Sequence, residues 1–584
     1  MSNYCILNPI QRSTLANGSR TIGSGGQEVT DGGTTYGCHA MGSLYVNTGK
    51  WYWEVMMASS GGEYAHIGII DAALLEMQSG PGTYNCIGYL GSGYSTDFSS
   101  SSGWNGTGNT ASAGATYTSG DVIGVALDCD NATVEFFKNG ATQFTISGWS
   151  MTDRKLTPAV GDGANAQSHR FECNFGQYPF RYTPPTGFKQ LKVDNLPITT
   201  NFNPALGETP QKHFETILYS GTGAVQSVSS LEFQPDLVWI KERGNLSSHY
   251  IIDTVRGSGS GDSFNPIDIS STAASTYENL NSHVTAINSN GFSLGNNSNT
   301  TFYVNRSGQN YKAFCWKAGG ATTADNSAGA GNVPTSGSVM IDGVASTSAL
   351  AGSNPAIRLS ANTKAGFSIV KYAGSASTTT VAHGLSSAPQ FIMIKNLNGG
   401  FNLPCYHHKL GNAAYLLWNS TGTKSTGQSD WGSTTPTNTV FTLGGNEGRD
   451  SAAGANFIAY CWHEVPGFSK IGRWYNVSSG SGQFIECGFE PAYILMKNDD
   501  NTEQWYIIDN KSNPFNKGIG QLQTMTTGTN TEGNPNSSAG VDFVSNGFKI
   551  RSSNTASGEI SFQNRNYIFI AFAENPQRFG LGKA

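Results

Sequence analysis

Two carboxylates and a histidine occupy the same place in three stretches of this chain. Asp253 and Asp509 lie 18 residues after Pro235 and Pro491, and His407 lies 18 residues after Pro389. Asp253 closes Tyr250-Ile251-Ile252-Asp253, and Asp509 closes Tyr506-Ile507-Ile508-Asp509. A recurring carboxylate at a strand end can coordinate calcium or polarise a sugar hydroxyl. It can equally accept backbone N–H groups from the turn that follows, which aspartate does readily. His407 stands in for it without disturbing the surrounding pattern, and that favours the structural role. His407-His408 is the one adjacent histidine pair; neighbours on a strand point to opposite faces, so one zinc ion does not reach both. Asp128-Cys129-Asp130-Asn131 begins like a calcium loop but lacks the later oxygen ligands and terminal glutamate. Asp499-Asp500-Asn501-Thr502-Glu503 reads as a solvated acidic loop, at most a weak cation site.

No Ser/His/Asp signature, phosphate-cradling Gly-rich loop or His-Glu-x-x-His is present. Glycoside hydrolysis usually needs two carboxylates converging on one bond, and the 40 acidic residues are too scattered to single out a pair. The expectation is a non-enzyme with no catalytic residue, no metal site and no cofactor. Aromatic rings in Gly/Ser/Asn-rich runs are the stronger candidates: Tyr94 (with Tyr89 before it) and Trp104 in Ser102-Gly103-Trp104-Asn105-Gly106, then Trp431 in Asp430-Trp431-Gly432, and Trp474 beside Tyr475. An exposed ring offers a flat apolar face with a polar edge, suited to stacking on sugar or protein. Tyr94, Trp104, Trp431 and Trp474 are therefore the expected ligand-binding residues; the alternative is that each packs over its own sandwich.

The elements that must position these residues repeat. Pro235-Asp236-Leu237-Val238-Trp239-Ile240-Lys241 recurs from Pro389 to Lys395 and from Pro491 to Lys497: a proline, a spacer, four apolar residues and a lysine. A second motif follows the prolines by 76, 68 and 76 residues: Tyr311-Lys312-Ala313-Phe314-Cys315-Trp316, Phe457-Ile458-Ala459-Tyr460-Cys461-Trp462 and Tyr567-Ile568-Phe569-Ile570-Ala571-Phe572. Two motifs in fixed order mark one module used three times. The first motif is apolar on both faces and should be buried on both, which places function in the loops where the copies diverge. Each repeat is a ~100-residue all-β unit, suited to a small sandwich or jelly roll.

At 584 residues the length prior is about four domains. Charged residues are only 13% and glycines number 73, a profile that favours short strands and tight turns. The net charge of −6 argues against nucleic acid. No run of about 18 apolar residues is present to span a membrane, and Met1 to Ile6 lack the pattern of a secretory signal. The nine cysteines read as free thiols in a protein assembled in the cytosol. The expected boundaries are residues 1–192 for a first sandwich, 193–213 for a linker, 214–320, 365–466 and 467–576 for the repeats, 321–364 for a Gly/Ala/Ser/Thr-rich insertion or linker, and 577–584 for a tail. Val339 to Val344 can form a small hairpin within the insertion.

In the first unit, Gly49 to Val55, Ile123 to Asp128, Phe136 to Gly140, Thr157 to Val160, and Asn174 to Phe180 with Gly187-Phe188 resemble the SPRY family. That resemblance implies a concanavalin-like antiparallel β-sandwich used mainly as a binding scaffold, with ligand residues on variable loops. The fold class expected for the whole chain is multidomain all-β: this sandwich followed by three tandem β-sandwich modules. The three repeats resemble modules of tail-fibre and other virion proteins of bacteriophages, many from aquatic and cyanobacterial hosts. This implies a virion adhesin, a tail fibre or receptor-binding protein that recognises host-surface glycan or an outer-membrane protein. It implies homo-oligomerisation, with a trimer as the expected form and no heptad or β-helix repeat to fix the stoichiometry, and contacts with other tail or baseplate proteins. A capsid-attached fibre or decoration protein and a polysaccharide-degrading tailspike are the alternatives.

Overall fold

The proline motif becomes a strand in each repeat: Leu237–Glu242, Phe391–Asn396 and Phe489–Asn498, every residue buried. Each lies inside an antiparallel sheet. On one side is the strand of the second motif, Asn310–Trp316, Asn456–Trp462 or Arg565–Pro576. On the other is the strand ending in the repeated polar position, Tyr250–Asp253, Pro404–His407 or Trp505–Asp509. The register is the same three times. Leu237 faces Trp316 and Asp253, Phe391 faces Trp462 and His407, and Tyr493 faces Phe572 and Asp509. Pro491 lies inside its strand, and the ladder shifts register around it, as expected where proline cannot donate.

In the computed structural model the described residues are 4–9, 20–23, 25–32, 40–59, 65–71, 86–96, 113–152, 154–162, 168–197, 201–244, 247–257, 264, 266–273, 283–296, 304–427, 429–444, 454–476, 483–512, 514–516, 522–523, 540–551 and 565–579. Among them the only helical elements are three 3-10 turns, Val193–Asn195, Pro204–Leu206 and Pro210–Lys212, and the rest is strand and turn. The chain is all-β, as its composition predicts. It divides into two compact units: residues 1–198, 474–488 and 546–554 form the first, and residues 199–473, 489–545 and 555–584 the second.

The first unit is the expected antiparallel sandwich. One sheet runs Arg20–Ile22, Glu28–Gly32, Ser168–Asn174, Lys50–Met57, Val122–Asp128, Thr133–Lys138, Ala141–Ser147; the other runs Ala40–Met41, Leu156–Asp162, Ala65–Asp71, Cys86–Leu90, Ser95–Thr96. Asn139 and Gly140 both take positive φ, 49° and 81°, and join Lys138 to Ala141 in a two-residue hairpin. Trp51, Trp53, Ile67, Val125, Phe136 and Phe171 fill the space between the sheets.

The second unit holds the three repeats around one core. Side chains alternate across a strand, so Leu237 and Trp239, Phe391 and Met393, and Tyr493 and Leu495 point into a single shared cluster. The residues between them face the other way: Val238 and Ile240 pack in the first repeat's own core, Ile392 and Ile394 in the second's. Rings cross between repeats in the shared core. Trp239 meets Trp418 at 5.1 Å, Trp418 meets Trp505 at 5.0 Å, and Phe314 meets Tyr493 at 5.1 Å between centroids. The centre closes to a void of about 20 Å³ lined by residues such as Leu237, Trp316, Phe391, Trp462, Tyr493 and Phe572. That leaves room for about one water, so the centre is packing, not a ligand pocket.

The 321–364 segment forms the expected hairpin, Val339–Ile341 with Val344–Ala345. It is more than linker: Ala356–Asn362 pairs with Phe367–Ala373, and Val339–Ile341 runs parallel beside it, which extends the second repeat's sheet.

Candidate functional site

The repeated polar position joins one repeat to the next. Asp253 accepts from the Arg256 backbone N–H at 2.8 Å, from Arg256 Nε at 2.6 Å, and from Tyr460 Oη of the second repeat at 2.9 Å. Asp509 accepts from Lys312 Nζ of the first repeat at 2.7 Å and from the Ser512 backbone and hydroxyl at 2.7 and 3.1 Å. His407 turns its ring toward the Phe569 backbone of the third repeat without closing a full hydrogen bond, while His408 Nε2 lies 2.9 Å from the Ile471 carbonyl. The contacts run first to second, second to third, third to first. Here the cations beside the carboxylates are side chains, Arg256 and Lys312.

Sequence reasoning passed over the lysine that ends each proline motif. Lys241, Lys395 and Lys497 are all fully buried, and their ammonium groups donate to carbonyls. Lys395 Nζ reaches Ser271 O of the first repeat at 3.1 Å; Lys497 Nζ reaches Asn498 O at 2.6 Å and Thr421 O of the second repeat at 3.3 Å. Lys241 Nζ donates to Glu242 O at 2.9 Å and Ser247 Oγ at 3.2 Å. The signal was available, since a lysine held at one offset behind a two-face-buried strand has no route to solvent. Burial pushes Lys395 and Lys497 down to about 8. A lysine depressed in the folded state binds fewer protons there than in the unfolded chain between pH 8 and 10.5. Stability therefore rises with pH through that window. Wild type should gain roughly 3 kcal/mol per lysine between pH 7.5 and 10.5. Lys395→Met and Lys497→Met should each lose their share of that rise, as read from urea midpoints at the two pH values.

The acidic run at 499–503 is not a solvated loop. Asp499 is fully buried, gripped by Arg473 through Nε at 2.7 Å and Nη2 at 3.0 Å and by Lys424 at 2.5 Å. Lys424 also bonds Asp500, and Asn566 donates to Asp500 from backbone and side chain. Two cations already answer the two carboxylates, which corrects the cation-site reading. Asp128 caps its own turn, accepting from the Asp130 and Asn131 backbones at 3.1 Å with Lys50 at 2.8 Å.

The aromatic candidates part company. Tyr94 is exposed at 37%, on the turn between Cys86–Leu90 and Ser95–Thr96. Trp104 lies outside the described residues. Trp431 and Trp474 are buried at 1% and 0%, which overturns their reading as exposed stacking rings. Trp431 donates its indole N–H to the Ala414 carbonyl at 3.1 Å and packs edge-on to Tyr406. Trp474 sits on an inward position of Ser469–Asn476, 5.9 Å from the Phe548 ring. In both, the polar neighbours describe the backbone and not the ring, whose burial of ~200 Å² of apolar surface outweighs them. Tyr89 is likewise interior, packed against Tyr117 and Phe144. Cys5, Cys129, Cys173, Cys315, Cys405, Cys461 and Cys487 are buried free thiols.

Comparison with known proteins matches the second unit to one family and the first to another. The family model described as "Domain of unknown function (DUF7483)" matches residues 209–576, more than half of the chain and all three repeats together. The SPRY domain model matches residues 50–177. Among curated proteins, the E3 ubiquitin-protein ligase RKP of Arabidopsis thaliana is 30% identical over 148 residues, 25% of this chain and 10% of that protein. The Ran-binding proteins 9/10 homolog of Drosophila melanogaster is 30% identical over 211 residues, 34% of this chain and 20% of that protein. The chain thus spans a fifth or less of the length of these relatives. Among solved structures, the SPRY domain of human HERC1 is 17% identical with a TM-score of 0.23, covering 30% of this chain and 99% of that one.

Proposed function

The chain belongs to the DUF7483 family, with a SPRY domain ahead of the family region, and on that premise we propose that it is a structural, non-enzymatic adhesin of a bacteriophage particle. Its task is to present surface loops to a host glycan or outer-membrane protein, as a tail fibre or receptor-binding protein of the virion, in contact with other tail or baseplate proteins. The observation that carries this reading is where the repeated ionisable residues go. Asp253, His407 and Asp509, with Lys241, Lys395 and Lys497, are buried, and the contacts described above place five of these six at repeat-to-repeat joints. Side chains fixed in this way build a scaffold, and the variation among repeats is left to the loops. Three modules in one chain already supply multivalency, and association into a trimer raises avidity further.

The test has three readouts. Gold-labelled antibody on purified particles should mark the tail; capsid labelling replaces the tail-fibre reading with the decoration protein. Labelled chain should decorate host cells and compete with particle adsorption, and failure to do so overturns host attachment. Release of oligosaccharide from extracted host polysaccharide sinks the non-enzymatic reading in favour of a tailspike. Native mass at 61.9 kDa or its threefold multiple decides the trimer.

A further inference from the structure

Part of the third repeat belongs to the first unit. Residues 474–488 and 546–554 group with the SPRY sandwich in one compact unit. Their core is a pair of strands distant in sequence, Phe484–Glu486 against Gly547–Arg551, with Phe484 opposite Lys549 and Glu486 opposite Gly547; on its other edge Gly547–Arg551 pairs with Gly540–Val544. Cys487 N–H donates to Asn546 O at 2.9 Å at the end of the pair, and Trp474 backs the pair by packing on Phe548.

The sandwich meets this pair with three kinds of contact at one place. Phe484 stacks on Tyr45, with ring centroids 6.3 Å apart and planes 23° from parallel. Lys155 Nζ grips both oxygens of Glu486, at 3.1 and 2.9 Å. Asn546 Nδ2 donates to the Ser43 carbonyl at 2.8 Å. Mutual backbone bonds of 2.9 and 2.8 Å between Val46 and Leu156 hold the two sandwich segments side by side. The fit is close. At Gly488, φ 77°, an added Cβ would stand 2.8 Å from Lys155 Nζ, so a side chain there would strain the left-handed backbone and displace the ammonium. Phe484, Glu486 and Asn546 are at most 6% exposed. An aromatic ring, a two-oxygen carboxylate grip and a directed amide bond make a recognition surface, since each discriminates a different chemical feature.

We propose that the face carrying Ser43, Tyr45 and Lys155 is a ligand-recognition site of the SPRY sandwich for an aromatic-x-acidic strand, and that its ligand is the chain's own Phe484-Ile485-Glu486 segment. The SPRY domain works here as an internal clasp. This face is closed to outside partners while that strand is seated, and any partner that does bind it carries the same chemistry: a ring, a carboxylate two residues on, and a glycine beyond.

The test uses the full chain. A fluorescent cyclic peptide with Gln483–Gly488 and Asn546–Arg551 as its two strands is titrated by anisotropy against wild type, against Phe484→Ala/Glu486→Ala, and against that variant with Lys155→Glu added. Wild type should show no binding because its site is filled. The double-alanine variant should bind saturably, and Lys155→Glu should weaken that binding at least tenfold. No binding to the double-alanine variant, or binding indifferent to Lys155→Glu, overturns the proposal. Should the double-alanine variant fail to fold, charge exchange decides. Lys155→Glu and Glu486→Lys singly should speed amide hydrogen exchange at Ile485 and Phe548 at least tenfold, and the double exchange should restore the wild-type rate. Absence of that rescue overturns the clasp.

Discussion

Replacing Lys312 with isoleucine should destabilise the second unit by about 3–5 kcal/mol, the cost of leaving one charge of a buried pair uncompensated. Lys312 and Asp509 are both fully buried and 2.7 Å apart. The loss is electrostatic, because the other repeats already place isoleucine at this position. Lys241 faces Lys312 in the first repeat, while Lys395 faces Ile458 and Lys497 faces Ile568. The double variant Lys312→Ile/Asp509→Asn should recover to within about 1 kcal/mol of wild type, since no charge remains and the amide oxygen still accepts from Ser512. The pH dependence carries a sign. In wild type, burial raises the Asp509 pKa but the Lys312 ammonium and the Ser512 donors outweigh it and hold the carboxyl below its usual value. The pair's contribution is then complete above the unfolded carboxyl pKa and fades as pH falls through the lower folded value. In Lys312→Ile burial prevails, the carboxyl rises above its unfolded value, and protonation relieves the penalty. The deficit should be greatest at pH 7 and shrink toward pH 4.5, read as the difference in urea midpoints from wild type. An equal deficit at both pH values would mean that packing, not charge, was lost.

How far the sequence reveals this molecule varies with the kind of constraint. Strand positions were legible, because continuous apolar runs recur at fixed spacing, and Leu237, Phe391 and Tyr493 do share one register. The SPRY sandwich was legible through its family resemblance, with Asn139-Gly140 as its sharpest turn signal. What covers the second face of each central strand was not. Apolarity on both faces of Leu237–Glu242 says that Trp239 is buried, and nothing in the run says that Trp418 of another repeat buries it. Long-range pairing hid the acidic cluster in the same way: Asp499 looks solvated beside Asp500 until Lys424 and Arg473 arrive from elsewhere in the chain. Trp474 was readable and misread. From Gly472 onward its strand alternates buried and half-buried residues, and the period places the indole inward with Gly472 and Asn476, whatever the polarity of Arg473 and Tyr475 on either side. The strand pair of the third repeat that joins the first unit had no sequence signal, since nothing in Phe484-Ile485-Glu486 names Tyr45 or Lys155 as its neighbours.

Acid should unfold the second unit between pH 6.5 and 4, and the cause is a set of histidines held as acceptors. Leu385 N–H donates to Nδ1 of His383 at 3.1 Å, while Nε2 of the same ring faces the Thr437 carbonyl at 3.1 Å. The Asn362 amide lies 2.9 Å from Nδ1 of His213, and Lys409 N–H donates to Nδ1 of His407 at 3.2 Å. Protonation at Nδ1 turns each acceptor into a donor facing a donor. Burial, aided at His213 by Lys317 and Lys364, brings His213 and His383 down to about 4, and burial takes His407 well below its ordinary value. Each folded pKa lies below the unfolded one, so the unfolded chain binds more protons between them. Stability is complete above about pH 6.5 and falls as pH drops toward the folded values. With two to three such groups the slope is roughly 3–4 kcal/mol per pH unit, enough to exhaust the net stability of an ordinary domain within this window. His213→Asn/His383→Asn retains acceptor oxygens that do not titrate. That variant should lose about 1–2 kcal/mol at pH 7 yet keep its urea midpoint far better at pH 4.5, so the two titrations should converge or cross. A wild-type midpoint that stays level from pH 7 to 4.5 would remove the histidines from the account.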